Sequence, residues 1–208
     1  MTTPEPPPAG SPADRLTGTD RPARADARRN REKLLTAARA AFTAADDKVP
    51  LEAVARDAGV GIGTLYRHFP TREALVEAVY AAELDQVTAE ADTLLTGHRP
   101  EAALRAWMDR YAAFVATKRG MIDTLRAGWA SGTMAIPTTR ERITGAIAGI
   151  LAAGVRTGSF RADADPDDVT ALLLGAFLST AADDSPDRIG RLLDLIVDAL
   201  RPLGPGHS

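Results

Sequence analysis

The chain contains no cysteine, and only 5% of its residues are aromatic. Without cysteine there are no disulfides, zinc fingers or thiol chemistry, and the expected setting is a reducing cytoplasm. Histidine is nearly absent too: His68, His98 and His207 are scattered along the chain, so the clustered ligands of a metal site are missing. No apolar run approaches the length of a membrane span. The opening Pro4-Glu5-Pro6-Pro7-Pro8 lacks the apolar core of a secretory signal. β-Branched runs are scarce, so no strand is expected, and no strand-borne phosphate loop either. The carboxylates lie at helix starts and on polar stripes, where capping explains them. No catalytic constellation and no cofactor are expected, and the chain does not read as an enzyme.

Alanine and leucine dominate a chain that is 45% hydrophobic, which predicts an all-α protein with a packed core. Its 208 residues suffice for a small domain joined to a larger one. The net charge of −3 is unevenly placed. Residues 15–39 hold eight basic groups against three acids, whereas residues 81–208 hold 13 against 17. A basic end on an acidic body suits a protein that presents one face to a polyanion, although a solvated, charged helix start has the same composition.

Residues 51–69 are the most specific stretch. Leu51, Val54, Ala55 and Ala58 recur at helical spacing, and Gly59 follows where a helix end needs positive φ. A second short helix places Leu65 and Phe69 at i and i+4, on one inward face. Ala55 is small where two helices cross, and Val60 plugs the turn. This is the pattern of a helix-turn-helix, whose second helix enters the DNA major groove. A small helical subdomain with coincidental glycines is the plainer reading, but turn, core and polar face agree independently against it. The outward residues are Ile62, Gly63, Thr64, Tyr66, Arg67 and His68, which supply hydroxyl, phenol, guanidinium and imidazole groups for phosphates and base edges.

The run GVGIGTLYRHF followed by PTREALVEAVY resembles the DNA-binding domain of TetR-type transcriptional regulators, over about residues 28–80. The resemblance implies a ligand-binding domain behind the motif, and Tyr66 and His68 as a phosphate-contacting pair on the recognition helix. Thr64 faces the same way, toward a phosphate or a base edge. Arg72, in the first turn of the fourth helix, is expected to meet phosphate with help from that helix's N-terminus. Ile62 offers a contact to a thymine methyl, and Gly61 and Gly63 permit close backbone approach. Arg67 either reaches a guanine or lies on the flank as a solvated charge; both readings stay open. Arg28, from the basic cluster, completes the expected DNA-binding set. Pro50 stands where family members often carry Ser or Thr, so one capping hydroxyl and its backbone contact are missing. With so few base-reading side chains, DNA shape is expected to supply part of the specificity.

Along the chain, residues 1–25 read as a disordered basic, Pro-rich tail, 26–72 as the DNA-binding domain and 73–204 as a helical ligand-binding and dimerisation domain. Helix 1 is predicted from about Ala27 to Ala44, with Leu34, Leu35, Ala38, Ala41 and Phe42 inward, followed by a turn at Asp46-Asp47-Lys48. Thr71 caps a helix reaching about Thr96. Helix 5 carries Leu104, Trp107, Met108, Tyr111, Phe114 and Val115, and Lys118-Arg119-Gly120 ends it. Helix 7 carries Ile143, Ala146, Ile147, Ile150, Leu151 and Val155. Asp165-Pro166 and Ser185-Pro186 open the last two helices.

Those two helices are apolar nearly all round, which demands burial nearly all round. A homodimer joined through a four-helix bundle supplies it, with Leu193 and Ile196 at the interface; a monomer that encloses them is the alternative. The resemblance also implies an effector cavity, with Trp107, Met108, Tyr111, Met121, Leu125, Trp129 and Phe177 as its expected wall. The combined expectation is a homodimeric repressor on a palindromic double-stranded DNA operator, released by a small, mainly apolar effector. Its rivals are a same-fold activator, a regulator controlled by a partner protein, and a helical ligand-binding or enzymatic dimer whose DNA-binding end is vestigial.

Overall fold

The computed structural model describes residues 20–44, 49–133, 138–180 and 186–202. Every regular element among them is an α-helix: α1 Asp20–Ala44, α2 Leu51–Asp57, α3 Ile62–His68, α4 Arg72–Gly97, α5 Pro100–Arg119, α6 Ile122–Ser131, α7 Thr139–Thr157, α8 Pro166–Ser179 and α9 Pro186–Ala199. None of them is long and apolar enough to cross a membrane.

α1 begins earlier than expected. Arg21 and Arg24 belong to the helix, so residues 20–25 are removed from the expected disordered tail. Alanine and arginine are strong helix formers, and the pairs Asp26–Arg29 and Arg28–Glu32 add i,i+3 and i,i+4 support. Pro22 falls in the first turn, where its missing N–H breaks no helical bond. The expected turn at Asp46-Asp47-Lys48 and the cap at Ser185 lie outside the described residues.

Leu34, Ala38 and Phe42 of α1, Val54 and Ala55 of α2, and Leu65 and Phe69 are all buried and form the core of the N-terminal unit. Gly59 turns the chain between α2 and α3 at φ 67°, and the Val60 amide donates to the Ala55 carbonyl at 3.0 Å. Pro50 flanks α2 in extended conformation and makes no side-chain cap. Thr71 caps α4, its hydroxyl accepting from the Ala74 amide at 3.1 Å.

α4 packs against α1, α5, α6 and α7, and so joins the two units. Arg39 of α1 reaches the buried Glu83 of α4 at 3.0 Å, and Arg142 of α7 reaches Asp85 at 2.7 Å. α5, α7, α8 and α9 complete the larger unit. α7 is anchored by Ile143, Ile147, Ile150 and Leu151, but Val155 is 40% exposed and does not join the core as expected. Gly154 holds the inward position there: a Cβ would meet the Phe160 ring at 2.0 Å. Val155 lies about 100° further round the helix, turned away from that contact.

The last two helices carry a second correction. Leu193 is 1% exposed within a single subunit, because α9 packs on α5 and α8 of its own chain. The unpartnered apolar side chains are instead Leu172, Leu178 and Leu195, at 57%, 78% and 62% exposure. A groove between α8 and α9 is lined by Leu172, Ala176, Leu192, Leu195 and Ile196. Ile196 thus borders the groove, whereas Leu193 backs it from the core.

Candidate nucleic-acid interface and effector cavity

α3 is held to the core by one side. Leu65 is fully buried and Phe69 is 3% exposed. The opposite side carries Ile62, Gly63, Tyr66 and Arg67 exposed, with Thr64 and His68 half-buried at its edges. A Cβ placed on Gly61 or Gly63 would meet nothing within 4 Å, so no contact inside the chain requires glycine at either position. The absence of side chains there leaves the backbone open to close approach from outside. The Arg31 guanidinium lies 5.3 Å from the Phe69 ring centroid, placing a cation beside α3. Arg28 is exposed and sits 3.7 Å from Glu32, a surface pair worth little in stability.

Arg72 does not extend freely toward solvent. Its guanidinium donates to the Val49 carbonyl, just before α2, and lies 5.8 Å from the Phe42 ring centroid. The side chain is half-buried and straps the start of α4 to α1 and to the approach of α2.

A cavity of about 360 Å³ opens between α5, α7 and α8. Tyr111, Phe114, Ile143, Leu174 and Phe177 form its apolar wall, and Lys118, Arg119 and Arg140 lie at its polar side. The Tyr111 ring meets Phe177 edge-on at 5.4 Å and Phe114 at 5.8 Å. Burial, with the neighbouring Tyr80, pushes the Tyr111 phenol up to about 12, so it stays protonated as a donor. The Lys118 ammonium lies 5.6 Å from both the Tyr80 and the Trp129 ring centroids. Burial and nearby Arg126 hold it below the ordinary lysine value.

Of the expected wall, Tyr111 and Phe177 line this cavity. Trp107, Met108, Met121 and Leu125 do not; they are core residues, at most 2% exposed. The Trp107 indole donates to the Val87 carbonyl at 2.8 Å and stacks on Tyr111 at 5.8 Å, so it supports the wall from behind. Trp129 is half-buried beneath Lys118, outside the lining. The physical reason is position along α5 rather than around it. Leu104, Trp107 and Met108 lie on its first half, sealed in the core, while Tyr111, Phe114 and Lys118 continue the same face into the second half, where the cavity opens. Lys118, Arg119, Thr139, Arg140 and Thr170 escaped the sequence reading. Lys118-Arg119-Gly120 reads as ordinary helix-end chemistry, and nothing in sequence brings α7 and α8 beside it.

The end of α5 also touches the N-terminal unit. The Thr117 and Thr43 hydroxyls are 3.0 Å apart. A Cβ on Gly120 would lie 2.0 Å from the Phe42 carbonyl oxygen, so only glycine admits α1 this closely. The cavity wall reaches α4 as well, through a 2.7 Å hydrogen bond between the Tyr80 phenol and the Thr139 hydroxyl.

An all-helical chain with an N-terminal helix-turn-helix and a helical C-terminal domain defines a class of DNA-binding regulators. The comparisons narrow it. Residues 34–79 match the model for bacterial regulatory proteins of the tetR family, and residues 99–202 match that for the C-terminal domain of SbtR-like transcriptional regulators. A TetR transcriptional regulator from Streptomyces coelicolor, SCO0520, is 41% identical with a TM-score of 0.75, over 84% of this chain and 99% of that one. A TetR regulatory protein from Mycobacterium vanbaalenii is 34% identical with a TM-score of 0.67, over 87% of this chain and 100% of that one. A gamma-butyrolactone receptor (ArpA-like protein) shares the fold at 22% identity and a TM-score of 0.59, over 86% of this chain and 91% of that one. No curated protein matched. The chain belongs to the TetR family of transcriptional regulators.

Proposed function

We propose that this regulator is a homodimeric repressor that binds a palindromic operator through α3 and is released when a small molecule enters the cavity between α5, α7 and α8. Tyr66, His68 and Thr64 hold phosphates, Ile62 and Arg67 face base edges, and Gly63 lets the backbone approach. Leu172, Leu178 and Leu195 meet their copies across the two-fold axis, where burial of such exposed apolar side chains favours association.

One observation carries the effector reading. The last turn of α5 both borders the cavity, through Lys118 and Arg119, and packs on α1, through Thr117 and Gly120. A ligand that favours one position of this turn therefore biases the placement of α1 and the helix-turn-helix, and ligand and operator affinities are then reciprocally coupled. The test is Gly120→Ala in the full chain. Its Cβ collides with backbone, so α1 and α5 must separate. Operator affinity is expected to fall while the dimer and its helix content persist. Unchanged affinity would remove this turn from the mechanism. Transcription from a promoter overlapping the selected operator should decrease on adding the protein; an increase would replace repressor by activator.

A further inference from the structure

The cavity has a charge character that its apolar wall conceals. Three cations border it and, among the described residues, no acidic side chain lines it. Arg140 has a distant partner, Asp167 at 3.9 Å, which the Thr144 hydroxyl also approaches at 3.5 Å. Lys118 and Arg119 have no acidic partner among the described residues. Lys118 is half-buried over two aromatic rings, which attract its ammonium but supply no counter-anion, and burial lowers its pKa. A second polar group is left open as well. Tyr111 lines the cavity at 4% exposure, and its hydroxyl has no hydrogen-bond partner among the described residues. Facing the cavity, that hydroxyl is free to donate to a ligand that enters.

We propose that the effector is a compact amphipathic acid, with its apolar body against Phe114, Ile143, Leu174 and Phe177 and its carboxylate between Lys118, Arg119 and the Tyr111 hydroxyl. The inference rests on the reading of this cavity as the effector site. The volume suits one small ligand. A neutral hydrocarbon would fill the apolar part but give the Lys118 ammonium no counter-anion and the Tyr111 hydroxyl no acceptor. A sugar phosphate would bring more polar groups than so apolar a wall can satisfy. A carboxylate at the cationic side answers both open groups at once, with charge-assisted hydrogen bonds.

The test uses the full-length dimer and three probes sharing one chain: decanoate, 1-decanol and decylamine. Binding is read by calorimetry and by tryptophan fluorescence, since Trp129 lies beneath Lys118. Operator release is read separately, by anisotropy of a labelled duplex. Decanoate is expected to bind about tenfold or more tightly than decanol, the effect of one or two charge-assisted hydrogen bonds, and decylamine more weakly than either. Lys118→Met, which keeps the packing over the rings, should abolish the preference for the acid. Arg119→Gln, at an exposed position where substitutions usually change stability little, should reduce it, and Tyr111→Phe should weaken decanoate more than decanol. Equal affinity for decanoate and decanol, failure of decanoate to bind, or a preference that survives Lys118→Met together with Arg119→Gln would each overturn the proposal. Tight decanoate binding without operator release would support the cavity's chemistry and overturn its role as the effector site.

Discussion

On α3, adjacent side chains have opposite duties. Leu65 and Phe69 are core despite lying inside the motif, whereas Tyr66, 45% exposed, contributes little to that core. Leu65→Ala should therefore lower stability by about 2–5 kcal/mol, the cost of a buried leucine deletion, measurable by denaturant unfolding. Tyr66→Ala and His68→Ala should leave the melting temperature nearly unchanged and weaken binding to all duplexes alike, as loss of phosphate contacts does. Arg72 gives the opposite expectation. Because its guanidinium is bound to the Val49 carbonyl and packed on Phe42, Arg72→Ala should lower the melting temperature while the salt slope of DNA binding holds. A slope reduced by about one phosphate equivalent would return Arg72 to the DNA. Sequence alone could not separate these outcomes. The N-terminal position of Arg72 in α4 is visible in the chain, but the carbonyl that receives it lies 23 residues earlier.

The helices themselves were legible wherever a local signal marked them. Gly59 stops α2, Thr71 caps α4, and Asp165-Pro166 opens α8. The start of α1 at Asp20 is hidden in the sequence, because the prolines and alanines around it resemble a tail, although a first turn tolerates proline. The cavity was less legible, since it depends on how α5, α7 and α8 meet; Tyr111 and Phe177 were anticipated from their type, and the cations were not. At this scale the junction between α1 and α4 has a testable pH dependence. Burial raises the Glu83 carboxyl above its ordinary value, with Arg39 pulling it back and Glu90 pushing it further. A carboxyl raised in the fold favours folding relative to its ionised form, so its contribution is lost as pH rises from the ordinary glutamate range through the raised value. The melting temperature of the wild type relative to Glu83→Gln should fall across that interval and level off above it. A difference that grew with pH would mean that the ion pair with Arg39 outweighs burial. The groove between α8 and α9 makes a separate prediction. Leu195→Asp should split the dimer into folded monomers, seen by sedimentation, whereas Leu193→Asp should unfold the subunit from within, because Leu193 is core.

For the whole molecule, three features must act together: α3 exposed at one end, an unpartnered apolar face on α8 and α9 at the other, and a cavity whose wall touches both α1 and α4. A basic α1 on an acidic body orients the first of these toward a polyanion. In the proposed dimer, two copies joined by the apolar face would carry two recognition helices related by a two-fold axis, and these would engage half-sites about one DNA turn, or roughly 34–36 Å, apart. The most direct measurement is selection of bound duplexes from a random pool, followed by sedimentation of the complex and comparison of the intact site with a single half-site. An inverted repeat that binds one dimer, with affinity lost together in Tyr66→Ala and in Leu195→Asp, is the expected result. A monomer bound with full affinity to an asymmetric site, indifferent to both substitutions, would contradict it.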